Sequence, residues 1–183
     1  GYYLVYGGTW AQQQASFSEL LMILLAATVL VFSVLLFLFG DFRISLLVIF
    51  ISILGISGCI WALFITGIQL NVGSYTGIIM IVGIIAENAI FTVNQFWANM
   101  KSSSDNVDAS IRYAISLRIR PKLMTAIGAI LALTPLALGI GVGAQMQQPL
   151  AIAVIGGFVI AMPLLLFVFP TLLRWIFIGK SKK

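Results

Sequence analysis

Apolar residues occur along this chain in long unbroken blocks, separated by short polar connections. A helix needs roughly 20 apolar residues to cross about 30 Å of hydrocarbon. Five stretches reach that length: Leu20 to Phe39, Ile44 to Thr66, about Val72 to Trp97, about Lys122 to Ile140 and about Leu150 to Leu173. The connections "GDFRI" and "GIQLN" read as tight turns, and "GIGVGAQMQQP" as a short Gly-rich loop. Residues 98–121 form the one long polar link. Its apolar positions Val107, Ile111, Ala114, Ile115 and Leu117 recur at helical spacing, with Asp105 or Asp108 placed to start a helix. The pattern predicts an amphipathic helix over about 106–118, lying on the membrane surface, followed by the fourth span. Pro135 is predicted to break the fourth span, and Pro163 and Pro170 the fifth.

Composition turns this pattern into a class. Apolar residues make up 61% of the chain and charged residues 8%, against about 25% charged in a soluble domain. Too little polar surface is available to cover a globule in water, which excludes a water-soluble enzyme and predicts an all-α integral membrane protein, a bundle of five transmembrane helices. The single cysteine, Cys59, permits no disulfide within the chain and no CxxC site. The absence of histidine removes the commonest metal ligand and the commonest acid/base group near neutral pH. The six methionines are scattered, with no pair at metal-ligand spacing. No cofactor and no metal site is expected.

Charge sets the direction of the chain. With five crossings, all ten basic residues (Arg43, Lys101, Arg112, Arg118, Arg120, Lys122, Arg174, Lys180, Lys182 and Lys183) fall on one side. The positive-inside rule makes that side cytoplasmic. The expected layout is a periplasmic lead-in over 1–19, a transmembrane domain over 20–177 and a basic cytoplasmic tail over 178–183. The net charge of +5 then reflects topology and lipid contact, with no nucleic-acid partner. The chain starts at Gly1 without the basic segment of a signal peptide, and its start reads as the cut edge of something longer.

The candidate chemistry lies in "IIMIVGIIAENAIFTVNQFW" (78–97), where Glu87 and Asn88 interrupt an apolar run. At 3.6 residues per turn Glu87 shares a stripe with Gly73, Thr76, Met80, Gly83, Phe91 and Asn94, a face small or polar along most of its length. That face is predicted to meet protein rather than lipid. Glu87 lies about 15 Å of helix rise from Trp97, near mid-membrane, where a charged side chain costs at least ~2.5 kcal/mol. A carboxyl group whose charged form is disfavoured by burial and favoured by a nearby cation takes and releases a proton as its surroundings change. The bland alternative is a neutral glutamic acid that only bonds two helices together. On the fourth span, Arg118, Lys122, Thr125 and Ala129 occupy one face. Lys122 either snorkels toward the cytoplasm or turns inward along Thr125 and Ala129. A helix that begins at Pro121 leaves Lys122 too shallow to reach Glu87; one that starts earlier does not.

Three segments resemble the C-terminal membrane half of the resistance-nodulation-division efflux transporters: "LNVGSYTGIIMIVGIIAENAIFTVNQF" (70–96), "RIRPKLMTAIGAILALTPLALGIGVGAQMQQPLAIAVIGG" (118–157) and "YGGTWAQQQASFSELLMILLAATVLVF" (6–32). The resemblance implies that the spans are helices eight to twelve of twelve in a proton antiporter of the bacterial inner membrane. It also implies a homotrimer that joins the remaining N-terminal half with a periplasmic adaptor and an outer-membrane channel. In that family a relay connects carboxylates on the fourth helix to polar residues on the tenth and eleventh. Glu87 falls at the tenth-helix relay position, where drug exporters commonly have lysine and the copper/silver branch has glutamate. Lys122 stands after the "RxRP" proline, as in that branch, while Arg118 and Thr125 match positions used by drug exporters. Glu87, Asn88, Arg118, Lys122 and Thr125 are therefore the candidate proton-relay residues. The helix bearing the main relay carboxylates is not in this chain. The competing reading is a membrane scaffold without transport activity of its own; an ion channel needs a polar stripe along a whole helix, which only the third span approaches.

Overall fold

A computed structural model describes residues 9–102 and 107–181, and the side chains of 18–101 and 107–177. Its elements are helices α1 (Thr9–Phe39), α2 (Phe42–Thr66), α3 (Val72–Ser102), α4 (Val107–Ala137) and α5 (Ala144–Pro163), a π-helical turn over Leu164–Val168, and α6 (Phe169–Ser181). Inside hydrocarbon each backbone N–H and C=O must find its partner within the protein, which a helix does along its own length. Five helical segments are long and apolar enough to cross a membrane: Ser18–Phe39, Phe42–Thr66, Val72–Lys101, Val107–Ala137 and Ala144–Phe177. The all-helical membrane class expected from the sequence is the observed one.

The turns form for local reasons. Asp41 caps α2, its carboxylate accepting the Arg43 N–H at 3.2 Å, and Gly67 ends α2 in the left-handed region at φ 67°. Three elements differ from the sequence pattern. First, α1 is already helical at Thr9, about three turns before the apolar run at Leu20, because polar residues such as Gln12, Gln13 and Gln14 extend a helix as well as apolar ones do. Second, the expected surface helix and fourth span are one uninterrupted helix, α4, with Pro121 and Pro135 inside it. Pro121 has no N–H to give the Leu117 carbonyl, but the helix continues through this single lost bond. Third, the fifth span does not simply stop at its prolines. Between Pro163 and Pro170 the bonding widens into one π-turn, the Phe169 N–H reaching the Leu164 carbonyl. The predicted tail at 182–183 and residues 1–8 and 103–106 lie outside the described residues.

α5 is the centre of the bundle and packs on α2, α3 and α4, while α1 touches only α2 and α3 closely. Close approach explains the tightest seam. A methyl group at Gly58 would meet the Gly156 carbonyl oxygen at 2.5 Å, and one at Gly156 would run into the Ala62 side chain. Only glycine at both places lets the α2 and α5 backbones touch. Ile44, Val48, Ile51, Ile81, Ile85, Phe96 and Phe169 are among the side chains fully enclosed around this axis. At one end of the bundle Asn99 of α3 donates to the Ser110 hydroxyl of α4 at 3.2 Å, and Asp108 of α4 holds Arg174 of α6 through two bonds of 2.6 and 2.8 Å.

Candidate functional site, a polar cavity between α3 and α4

Along the middle of the bundle α3 and α4 separate enough to leave a cavity of about 320 Å³. Met80, Ile84, Glu87, Asn88 and Phe91 line it from α3, and Arg118, Pro121, Lys122, Thr125, Ala129 and Leu133 from α4. Val154 and Phe158 of α5 close its apolar floor. All five candidate relay residues border this one space, although Glu87 and Thr125 stand on different helices and more than thirty positions apart in the sequence.

Continuity of α4 is what brings the cation into place. Because the helix starts at Val107, Lys122 sits four turns inside it, with the depth that a start at Pro121 would have denied it. The residue is 5% exposed, a buried ammonium in an otherwise apolar bundle. Its Nζ donates to the Thr92 hydroxyl at 2.7 Å. Thr92, itself 2% exposed, passes its own proton to the Asn88 carbonyl at 2.8 Å. Asn88 in turn donates from its amide to the Ile84 carbonyl at 2.8 Å, one turn back on α3. Asn88 therefore stiffens its own helix and presents its carbonyl groups to the site; it does not reach across to α4.

Glu87 makes no hydrogen bond or ion pair to any described residue, and its side chain is exposed at the cavity's edge. Lys122 thus bonds Thr92 and not Glu87. Arg118 lies over the Phe91 ring, its guanidinium carbon 4.9 Å from the centroid, a cation–π contact. Its Nε is enclosed and has no hydrogen-bond partner. Thr125 turns its hydroxyl to the Pro121 carbonyl at 2.9 Å, one turn back on its own helix. The cavity wall therefore holds two cations and one acid. Enclosed cations cost several kcal/mol each unless anions or other polar groups compensate them, and a single unpaired carboxyl does not balance two.

Thr92 is the member of this site that the sequence reading passed over. It stands on α3 one turn beyond Asn88, off the Glu87 stripe, and looks like one more helix-lining threonine. The only signal that points to it is its partner, thirty residues away on α4. Among the described residues no three His, Cys, Asp or Glu side chains gather as a metal site.

Fold and site define a multi-spanning membrane protein with a charged cavity inside its helix bundle. The family model described as the AcrB/AcrD/AcrF family matches residues 1–177. The cobalt-zinc-cadmium resistance protein CzcA of Cupriavidus metallidurans is 34% identical over 174 residues, which cover 95% of this chain and 16% of that protein. The nickel and cobalt resistance protein CnrA of the same organism is 33% identical over 174 residues, covering 94% of this chain and 16% of that protein. A crystal structure of a heavy metal efflux pump superposes with a TM-score of 0.78 at 32% identity over 96% of this chain and 18% of that one. A second crystal form gives a TM-score of 0.74 at 34% identity over 93% of this chain and 17% of that one. The chain belongs to the AcrB/AcrD/AcrF family, the resistance-nodulation-division transporters. It spans 16% of the length of these curated relatives.

Proposed function

We propose that this chain is the C-terminal membrane part of a proton-driven exporter of divalent heavy-metal cations, and that the α3–α4 cavity handles the protons. The observation that carries the proposal is Lys122, 5% exposed and facing the same cavity as Glu87 and Arg118. Buried charge in a membrane bundle is expensive and marks ion or proton paths by default. A scaffold has no need of a cavity whose wall holds two cations and one acid.

On this reading Glu87 takes and releases a proton while Lys122 alternates between its hydroxyl partner and a carboxylate. The unsatisfied Nε of Arg118 and the surplus of cations supply the reason for further carboxylates, contributed by the rest of the transporter, to approach this face. The family relatives carry metals in their names, cobalt, zinc and cadmium for CzcA and nickel and cobalt for CnrA, which favours metal cations over drugs as the exported substrate. The Glu87 and Lys122 pair, whose resemblance is to the copper/silver branch, likewise favours a metal exporter over a drug exporter. The basic end of the bundle faces the cytoplasm of a bacterial inner membrane. The intact protein works as a homotrimer with a periplasmic adaptor and an outer-membrane channel.

The test is export of cobalt(II) by the intact transporter. Glu87→Gln keeps the shape of the side chain and removes its charge. Export falls by about a hundredfold or more, the scale of a lost proton-transfer group, while the amount of assembled protein in the membrane stays normal. Export by Glu87→Gln at the parent rate would favour the scaffold reading and end this one.

A further inference from the structure

We infer that Thr92 is a positioning residue that parks the Lys122 ammonium on α3 between its encounters with carboxylates. The inference rests on the proposed proton role of Glu87 and Lys122 and adds to it the device that holds the cation in the interval.

Three features of the contact carry it. The bond is short, 2.7 Å from Nζ to Oγ1, and both residues are buried. The hydroxyl is also oriented. Its proton is committed to the Asn88 carbonyl at 2.8 Å, which leaves only lone pairs toward α4. Thr92 is thereby an acceptor with a fixed direction, suited to an ammonium and unable to donate back to it. Finally, the partner is neutral. A carboxylate in this position would lock Lys122 into a permanent pair, and an apolar residue would leave the ammonium without compensation. A hydroxyl holds the cation less firmly than a carboxylate does, so that Lys122 can leave it for one.

The surroundings leave room for that movement. The cavity of about 320 Å³ begins at the lysine itself. The charged groups lining it are Glu87 from α3 and Arg118 from α4, while the α5 residues Val154 and Phe158 are apolar. Arg118 is held over Phe91 and repels the ammonium rather than receiving it. The lysine stem, four turns inside α4, borders the same cavity as Glu87, so that leaving Thr92 for a carboxylate asks for rotation of a flexible side chain. Thr125, on the same helix as Lys122, also gives its hydroxyl proton to its own backbone, at Pro121, but it is exposed and the Lys122 ammonium bonds Thr92 instead.

The experiment uses the intact transporter and cobalt(II) as the exported ion, with Thr92→Val, Thr92→Ser, Lys122→Met and the double variant Thr92→Val/Lys122→Met. Valine keeps the volume and removes the acceptor; serine keeps the acceptor. Thr92→Val is expected to lower kcat about tenfold, the scale of one hydrogen bond to a charged group, with KM for cobalt unchanged, and Thr92→Ser to recover most of the rate. The detergent-solubilised Tm falls on Thr92→Val in the parent and does not fall further in the Lys122→Met background, which reads the contact itself. Parent-like export by Thr92→Val, no recovery by serine, or an equal Tm loss with and without Lys122 each overturns the inference. If Lys122→Met is inactive while Thr92→Val exports normally, this inference alone fails. If Lys122→Met and Glu87→Gln both export at the parent rate, the proton reading fails and the parking role with it.

Discussion

Helix α3 meets two of its neighbours, α5 and α4, in opposite ways. Toward α5 the contact is dry and close: a methyl group at Gly77 would come within 2.9 Å of the Ala153 side chain and 3.0 Å of the Leu150 carbonyl oxygen, and Ile81 and Ile85 are fully enclosed. Toward α4 the helices part around a cavity with charged walls. Protein interiors pack nearly as densely as organic crystals, so the first face is the ordinary one and the second needs a reason. The difference divides the labour along one helix. Close packing fixes where α3 stands, and on the proposed reading the open side is where individual side chains change partners.

The comparison breaks most visibly on the dry side. Gly77→Leu has no room, because one of the atoms it meets is backbone and cannot turn aside. Overpacking of this kind costs about 1–3 kcal/mol and sometimes more, and the folded fraction recovered in detergent should drop sharply. On the cavity side Glu87→Gln should change thermal stability by no more than about 0.5 kcal/mol, because no contact within the chain is lost, even as export fails. Equal stability losses at the two positions would mean that the two faces do not differ in the way described.

These two faces were not equally readable in the sequence. The five apolar runs and the helical class follow from composition and length alone, since the bilayer imposes both. The rarity of charge in these spans singled out Glu87, Arg118 and Lys122 as candidates, but left open whether Lys122 turns inward; the cavity that all three line is a feature of the fold. The course of α4 was not. A proline after a polar link reads as a helix start, and the Leu117 carbonyl that loses its partner at Pro121 does not end the helix. The helical course of α1 ahead of Leu20 was hidden for a related reason: hydropathy reports depth in a bilayer, not the end of a helix. Thr92 was missed because a threonine on a helix is usually bonded to its own backbone, as Thr28, Thr66 and Thr76 are. A role as acceptor for a residue on another helix emerges only from the tertiary fold.

A third kind of contact, outside both faces, sets the lower end of the scale. The bidentate pair between Asp108 and Arg174 is about half exposed on each side and ties the start of α4 to α6. Exposed pairs contribute about 0.2–1 kcal/mol and weaken with salt. Arg174→Gln should therefore lower stability by that amount at low ionic strength and by less at 1 M salt, in thermal melts of the solubilised protein. A loss as large as that of Gly77→Leu would place a main support of the bundle at this end instead of along the α5 axis.

The smallest effect belongs to Gly83, one turn before Glu87 on the same stripe, where a methyl group meets nothing within 4 Å. In this chain by itself Gly83→Ala should be neutral or stabilising by up to about 1 kcal/mol, because alanine loses less conformational freedom in a helix. Gly77 and Gly83 are thus two glycines of one helix with opposite responses to substitution, and the reason lies in what faces them. In the intact transporter the proposed function places a carboxylate-bearing segment against the Gly83 face, where an added side chain would hold that segment away from Glu87. Gly83→Leu should then reduce cobalt export while leaving this chain's own fold intact. Full export by Gly83→Leu would mean that lipid covers this face, and the surplus positive charge of the cavity would have to be met from another direction.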